Sequence, residues 1–540
     1  AVGTDALVTN TTANNNTAVG YAALKLNITG TGNSAVGASA GAALTTGSSN
    51  TALGHLALDG TDDGAGNTAI GKQALSENCG DNNTAVGYLA GLNTTGSLNT
   101  FVGKSAGQGV TSGTNNTLIG ALAGDAVTDA SDNVAVGYQA LSTSTTAANN
   151  TAVGTSALKL NTGIQNTAVG RGALTNQALA QDNTAVGYNA GNSVTTGAYN
   201  TVVGSSAGLS LTTGTNNAVF GYEALKNEDG HGKNTAIGTQ TLFAQNAGAD
   251  AFNTAVGYQA GAAVTTGTHN TFIGGLSGDA TTTGGSNIAL GAYALSANTT
   301  ASNNSALGFS ALEANTTGAN NTAVGWSAAK ANTTGTNNVA VGYGTLDAAV
   351  TANDNTAVGN NALTTNTASS NTALGSEALQ YNTSGNSNVG IGVQALRANT
   401  TASNNTAVGT SALAANTTGD LNVSLGASSM LDNTTGSRNV ALGAYVLTNN
   451  TTASFNTGVG DSSLGANTTG ASNTAVGEGS LDANTTASYN TAVGRDALGA
   501  NTTGTANAAM GASALSANTT ASYNTALGYA ALTTNITGAQ

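Results

Sequence analysis

Few side chains in this chain of 540 residues are able to do chemistry. His55, His231 and His269 lie more than 30 residues apart and at different points of the pattern described below. With a single cysteine, Cys79, and scattered acids, they offer no metal-ligand spacing and no nucleophile–base pair. The densest acidic run, Asp59-Gly60-Thr61-Asp62-Asp63-Gly64, has the composition of a Ca²⁺ loop, but no Glu closes it at the distance an EF-hand needs. Asp59, Asp62 and Asp63 are the one cation candidate, set against the plainer reading of a solvated acidic turn. No catalytic residue, cofactor site or enzyme is expected.

The elements that would have to position a site are equally unusual. The chain has 75 Gly, no Pro and 7% charged residues, far below the charge of ordinary globular domains. Aromatics are 4%, so a large core is excluded, and the low charge argues against ordinary disorder. A formal charge of −14 speaks against nucleic acid, and no apolar run is long enough to span a bilayer. The chain begins and ends inside a repeat, which reads as a segment of something longer.

That repeat orders the whole sequence. The tetrapeptide Thr17-Ala18-Val19-Gly20 recurs to the end, closing on 32 glycines from Gly3 to Gly528. Of the intervals between them, 26 are 17 residues and four are 16, while Gly238 to Gly257 is 19. Numbered from the residue after each glycine, the consensus is Tyr-x-Ala-Leu-x-x-Asn-Thr-Thr-Gly-x-x-Asn-Thr-Ala-Val-Gly. Helix is excluded by the density of Gly, Asn and Thr. Two short strands, Thr-Ala-Val and Tyr-x-Ala-Leu, with two turns per repeat predict an all-β parallel solenoid of about 31 coils. At about 4.8 Å per coil that is a rod of roughly 150 Å.

Each column implies an environment. Position 16 is aliphatic at Val19, Val136, Leu290 and Leu442, and position 4 at Leu24 and Leu312, so both are expected in the core. Position 14, where Val replaces Thr, shares the face of position 16. Position 15, Ala in 24 of 32 repeats, then becomes an outward stripe: Ala18, Ala135, Ala289 and Ala441 are expected between neighbouring chains. The alternative is a thin core in which both faces are internal. Position 13 is Asn throughout, as at Asn16, Asn133, Asn287, Asn439 and Asn524, which predicts an amide ladder between stacked coils.

Position 4 also sorts the repeats. Eight carry Gly there, the last being Gly278, and in six of them position 7 turns aliphatic, as if refilling the core: Leu44, Val110, Val127, Val194, Leu211 and Val264. Residues 1–278 therefore mix two coil types within the one array 1–540, and 279–540 are regular. Aromatics at position 1 (Tyr21, Tyr88, Tyr138, Tyr188, Tyr258 and Trp326 among them) could stack on sugars or cover a seam. Sequences such as Asn315-Thr316-Thr317 match the N-glycosylation acceptor.

The segments Asn133-Val134-Ala135-Val136-Gly137, Asn287-Ile288-Ala289-Leu290-Gly291 and Asn439-Val440-Ala441-Leu442-Gly443 resemble the Ser-Val-Ala-Ile-Gly repeat of YadA-like heads in trimeric autotransporter adhesins. Similar Asn-Thr-Ala-Val-Gly arrays occur in bacterial surface and phage tail-fibre proteins. The resemblance covers the whole chain and implies a left-handed β-roll, a side-by-side homotrimer and an extracellular or virion location. The adhesin repeat is nearer 14 residues, and this chain has no coiled-coil stalk, anchor or tail-fibre chaperone segment. The expected function is a structural fibre holding a binding end away from a surface. Alternatives are an adhesin binding matrix protein or glycan along its side, a phage tail-fibre shaft, or an ice-binding solenoid.

Overall fold

The computed structural model describes residues 1–536 and Gly538. It is an all-β parallel solenoid in which the 17-residue repeat is one coil. Each of the 31 strands among the described residues is three residues long and occupies repeat positions 14–16. The chain forms two compact units. Residues Ala1–Asn270 hold β1 (Thr17–Val19) to β15 (Thr254–Val256), and Thr271–Gln540 hold β16 (Thr271–Ile273) to β31 (Thr525–Leu527). The change of coil type after Gly278 thus falls inside the second unit.

Within each unit every strand pairs in parallel with the strand one coil on, without slippage. Thr17, Ala18 and Val19 face Ser34, Ala35 and Val36, and Ile288, Ala289 and Leu290 face Ser305, Ala306 and Leu307. At Gly20 φ is +136°, and a Cβ would stand 2.4 Å from the carbonyl oxygen of Gly37. The closing glycine is therefore required twice, by dihedral and by the close approach of the next coil.

The expected second strand, Tyr-x-Ala-Leu, is a run of turns. Positions 2 and 4 are left-handed (Ala22 at φ 55°, Leu24 at φ 49°), which denies the segment extended geometry. Its backbone groups still pair between coils. The Ala22 N–H donates to the Thr4 carbonyl at 2.9 Å, and the Leu24 N–H to the Ala40 carbonyl at 3.0 Å. Left-handed leucine is disfavoured by roughly 1–2 kcal/mol; here it is held because Leu24 and Leu312 are fully buried, as expected of core residues.

The strand face is the reverse of the expectation. Ala18, Ala135, Ala289 and Ala441 are buried. Val19 and Leu290 are 38% and 44% exposed, and Val136 and Leu442 are half-buried. Position 15 therefore packs inward, and positions 14 and 16 point out. The cause is volume: the position-4 Leu already fills the narrow interior, and only a methyl fits opposite it. In the Gly-type coils the six refilling residues, Leu44 to Val264, are all buried. A Cβ on Gly41 would lie 3.0 Å from Leu44 Cδ1.

Two amide ladders line the corners. At position 13 the side-chain oxygen accepts the backbone N–H of the next asparagine, as in Asn33 N to Asn16 Oδ1 at 2.8 Å. The Asn33 amide nitrogen donates to the Gly47 carbonyl one coil on, also at 2.8 Å. Asn133, Asn287, Asn439 and Asn524 occupy the same buried column. The contacts are thus largely amide to backbone, with direct amide–amide bonds such as Asn133 Nδ2 to Asn116 Oδ1 at 3.1 Å added in places. A second ladder at position 7 was not anticipated: Asn315 donates to Asn298 at 3.1 Å and Asn332 to Asn315 at 2.8 Å.

Candidate functional site

The strand face is the most extensive candidate surface. Strand alternation sends Thr, Val or Ser at position 14 and Val, Ile or Leu at position 16 outward together, and the parallel register aligns them into two continuous files in each unit. No strand carries a charged residue at either position. If each half-exposed aliphatic leaves roughly 50 Å² of apolar surface, the 15 strands of the first unit present on the order of 700 Å², above the largest patch typical of a monomer.

A local exception interrupts the uniformity of the second unit. Rings from four successive coils follow one another. Tyr293 meets Phe309 edge-on at 5.8 Å, Phe309 stacks on Trp326 at 6.3 Å, and Trp326 on Tyr343 at 4.9 Å. The same four coils form a groove of about 600 Å³ floored by Ala297, Ala314, Ala331 and Ala348. Glu313, Lys330 and Asp347 edge it, with Lys330 3.5 Å from Glu313. Burial pushes the Asp347 carboxyl above its usual range, and Lys330 partly offsets this. Aromatics at position 1 elsewhere, among them Tyr21, Tyr88, Tyr138, Tyr188 and Tyr258, are exposed and lie outside this series. Cations lie over two of them, Lys72 over Tyr88 and Arg171 over Tyr188.

Asp59, Asp62 and Asp63 are not brought together. Asp59 accepts from the Ser76 hydroxyl and Asp62 from the Thr45 hydroxyl, each a rung between coils. The acidic and imidazole groups that converge are instead Glu228, Asp229 and His231, whose ligand atoms lie within 4.8 Å of one another. Glu228 sits at position 7 of its coil, in the column the second amide ladder uses, and its side chain is wholly buried. Burial raises its pKa above the ordinary glutamate range. Spacing between the histidines does not reveal this cluster, because the partners of His231 are its own chain neighbours Glu228 and Asp229.

Two other sequence features prove structural. Asn315 of the glycosylation-like triplet is buried, and its amide nitrogen is held by Asn298 and by the Gly318 carbonyl, 3.0 Å away. Cys79 is buried with its sulfur 3.1 Å from Thr61 Oγ1, and desolvation pushes the thiol up to about 11. Such a thiol is unreactive.

Fold and surface together define a β-solenoid repeat protein whose outward sheet face is uncharged, with a largely hydroxyl-bearing file beside an aliphatic one. No protein-family model matches the chain, and a search of curated proteins finds no match. No helix among the described residues is long and apolar enough to cross a membrane.

Proposed function

We propose that this chain is the shaft of an extracellular fibre that self-associates through its strand face and holds a binding end away from a cell or virion surface. The observation that carries the reading is the in-register file of outward aliphatics at position 16, flanked by Thr and Val at position 14. Water-facing aliphatic files without a single charge are suited to burial against an identical file, because a repeating surface is complementary to a copy of itself at every coil. The resemblance to YadA-like heads supports three copies side by side. Light scattering on the purified chain tests it: a trimer mass is expected, and a monomer mass rejects the self-associating fibre. Placing lysines at Leu290 and Leu307 should dissociate the assembly while leaving the solenoid circular dichroism unchanged.

A second reading is favoured by the ring series and groove between Tyr293 and Asp347. A fibre needs identical coils, whereas a binding site needs an exception, and these four coils are one. An adhesin reading places a glycan or matrix-protein segment against the rings, where Trp326 stacks between Phe309 and Tyr343. Glycan arrays with W326A would test it, and binding that is absent or unchanged in the variant discards it.

A further inference from the structure

Glu228 is the one charged residue among the described residues that is buried. A carboxylate taken out of water is costly unless a positive charge accompanies it. Its hydrogen bonds come from neutral donors: the His231 N–H at 3.1 Å, Gln245 Nε2 at 3.2 Å and the Ala247 N–H at 3.5 Å. The nearby lysines are engaged elsewhere, Lys226 with Glu223 and Lys233 with Asp250, each at 2.7 Å. The remaining group is the His231 ring. Its Nδ1 is buried and has no hydrogen-bond partner, and it stands 3.7 Å from Glu228 Oε1. That separation is too long for a hydrogen bond.

A buried carboxylate and a ring nitrogen without a hydrogen bond therefore face each other, joined only by the 3.7 Å ion pair that a protonated His231 would make. A single divalent ion between them satisfies both. We infer that Glu228, Asp229 and His231 form a binding site for a borderline transition cation of the Zn²⁺ class. Ligands about 2.0–2.2 Å from a tetrahedral ion lie roughly 3.3–3.5 Å apart, so the 3.7 Å pair needs to close by only a few tenths of an ångström. Asp229, exposed on the same turn, supplies the third ligand by rotating its side chain. Glu228 Oε1, the oxygen nearer the ring, accepts only the backbone N–H of His231 and keeps a second lone pair for the metal. The imidazole ligand selects against Ca²⁺ and Mg²⁺, which prefer oxygen alone. The His231 side chain is about one-third exposed, which gives the ion a route in and lets water complete its shell.

The site lies beside the one 19-residue interval of the array, from Gly238 to Gly257, which supplies Gln245 and Ala247 to the Glu228 carboxylate. It is independent of the fibre reading and stands or falls separately.

Calorimetric titration of the full chain with ZnCl₂, in a buffer that does not chelate, tests the site. One saturable site per chain is expected, weakened by roughly tenfold or more in H231Q and in E228Q and unchanged in the D62N/D63N double variant. Because E228Q alters a buried group, the partly exposed H231Q carries the test if E228Q loses its circular dichroism. Co²⁺ in place of Zn²⁺ should give a visible d–d spectrum that H231Q abolishes. Absence of saturable binding, binding indifferent to H231Q, or binding lost in D62N/D63N overturns the assignment.

Discussion

Phe101 lies against Gly107: a Cβ on that glycine would stand 2.4 Å from the Phe101 ring carbon Cδ1. The pair joins an enlarged position 15 to an emptied position 4, and it recurs. Gly124 faces Leu118, Gly208 faces Val202, and Gly278 faces Phe272. Gly458 at position 15 shows the converse, with its missing side chain replaced by Val446 at position 3 of the same coil, whose Cγ1 is 2.5 Å from where a Cβ would be. Each coil encloses a fixed volume, shared between two walls.

This sharing predicts a non-additive mutant cycle. G107A should destabilise by about 1–3 kcal/mol through overpacking against the Phe101 ring, with up to about 1–2 kcal/mol from the left-handed dihedral. In an F101A background the two closest contacts vanish, leaving the dihedral part and the milder 3.1 Å approach of Leu118 Cδ1. Chemical denaturation of the four proteins measures the coupling.

The asparagine ladder predicts a local loss. Asn133→Ala removes the acceptor of the Asn150 N–H, now bonded at 3.0 Å, and leaves that buried donor unpaired. An unsatisfied buried group costs about 1–3 kcal/mol. Hydrogen exchange at the Asn150 amide should accelerate by roughly one to two orders of magnitude, while amides several coils away keep their protection.

Acid should stabilise the chain. Burial raises the carboxyl pKa values of Asp59, Asp125, Asp279, Asp347, Asp482 and Glu228 above their ordinary values. Carboxyls raised in the folded state bind protons more tightly there. Their contribution is complete below the unfolded pKa and is lost as pH rises through the folded one. Hydrogen bonds lower the values of Asp129, Glu223 and Asp250 and act oppositely, but they are three groups against six. Tm is expected to be higher near about pH 4.5 than near pH 7.5; a fall on acidification would contradict the assignment.

The outward Thr column bears on the ice-binding alternative. Position-14 threonines do face solvent, but position 16 beside them is aliphatic, giving Thr-x-Val ranks rather than Thr-x-Thr. If the face is covered by other copies, thermal hysteresis should be absent at micromolar chain. Measurable hysteresis from a monomer would replace the fibre reading.

Much of the fold is legible in the sequence because the spacing of Gly20, Gly37 and their successors fixes the coil, and the invariant Asn column fixes a corner. The orientation of the strand is not. Alternation says that Ala18 and Val19 face opposite ways, and hydrophobicity then favours sending Val19 inside. Interior volume decides otherwise, since Leu24 has already filled the space. The deciding signal is in the sequence: of the five enlarged residues at position 15, Phe101, Leu118, Val202 and Phe272 are followed by Gly at position 4 and only Val219 by Leu, a correlation an outward column has no reason to show. The second ladder was hidden because Asn at position 7 is also ordinary turn chemistry. Glu228 looked like one acid among many until its coil closed around it.

The parallel register between neighbouring strands has a consequence for how such a chain changes over time. Because Thr17 pairs with Ser34 in the way Ile288 pairs with Ser305, a regular coil is nearly interchangeable with its neighbours. Unequal recombination between repeats that deletes or duplicates 17 codons leaves the ladders, the closing glycines and the outward files in phase. It alters the length of a unit by one step of about 4.8 Å. Turns absorb a residue or two, as the in-register 16- and 19-residue intervals show, but slippage that leaves part of a coil puts all three out of phase. Length is thus inherited in quanta, and reach can be adjusted by copy number without redesigning a single contact.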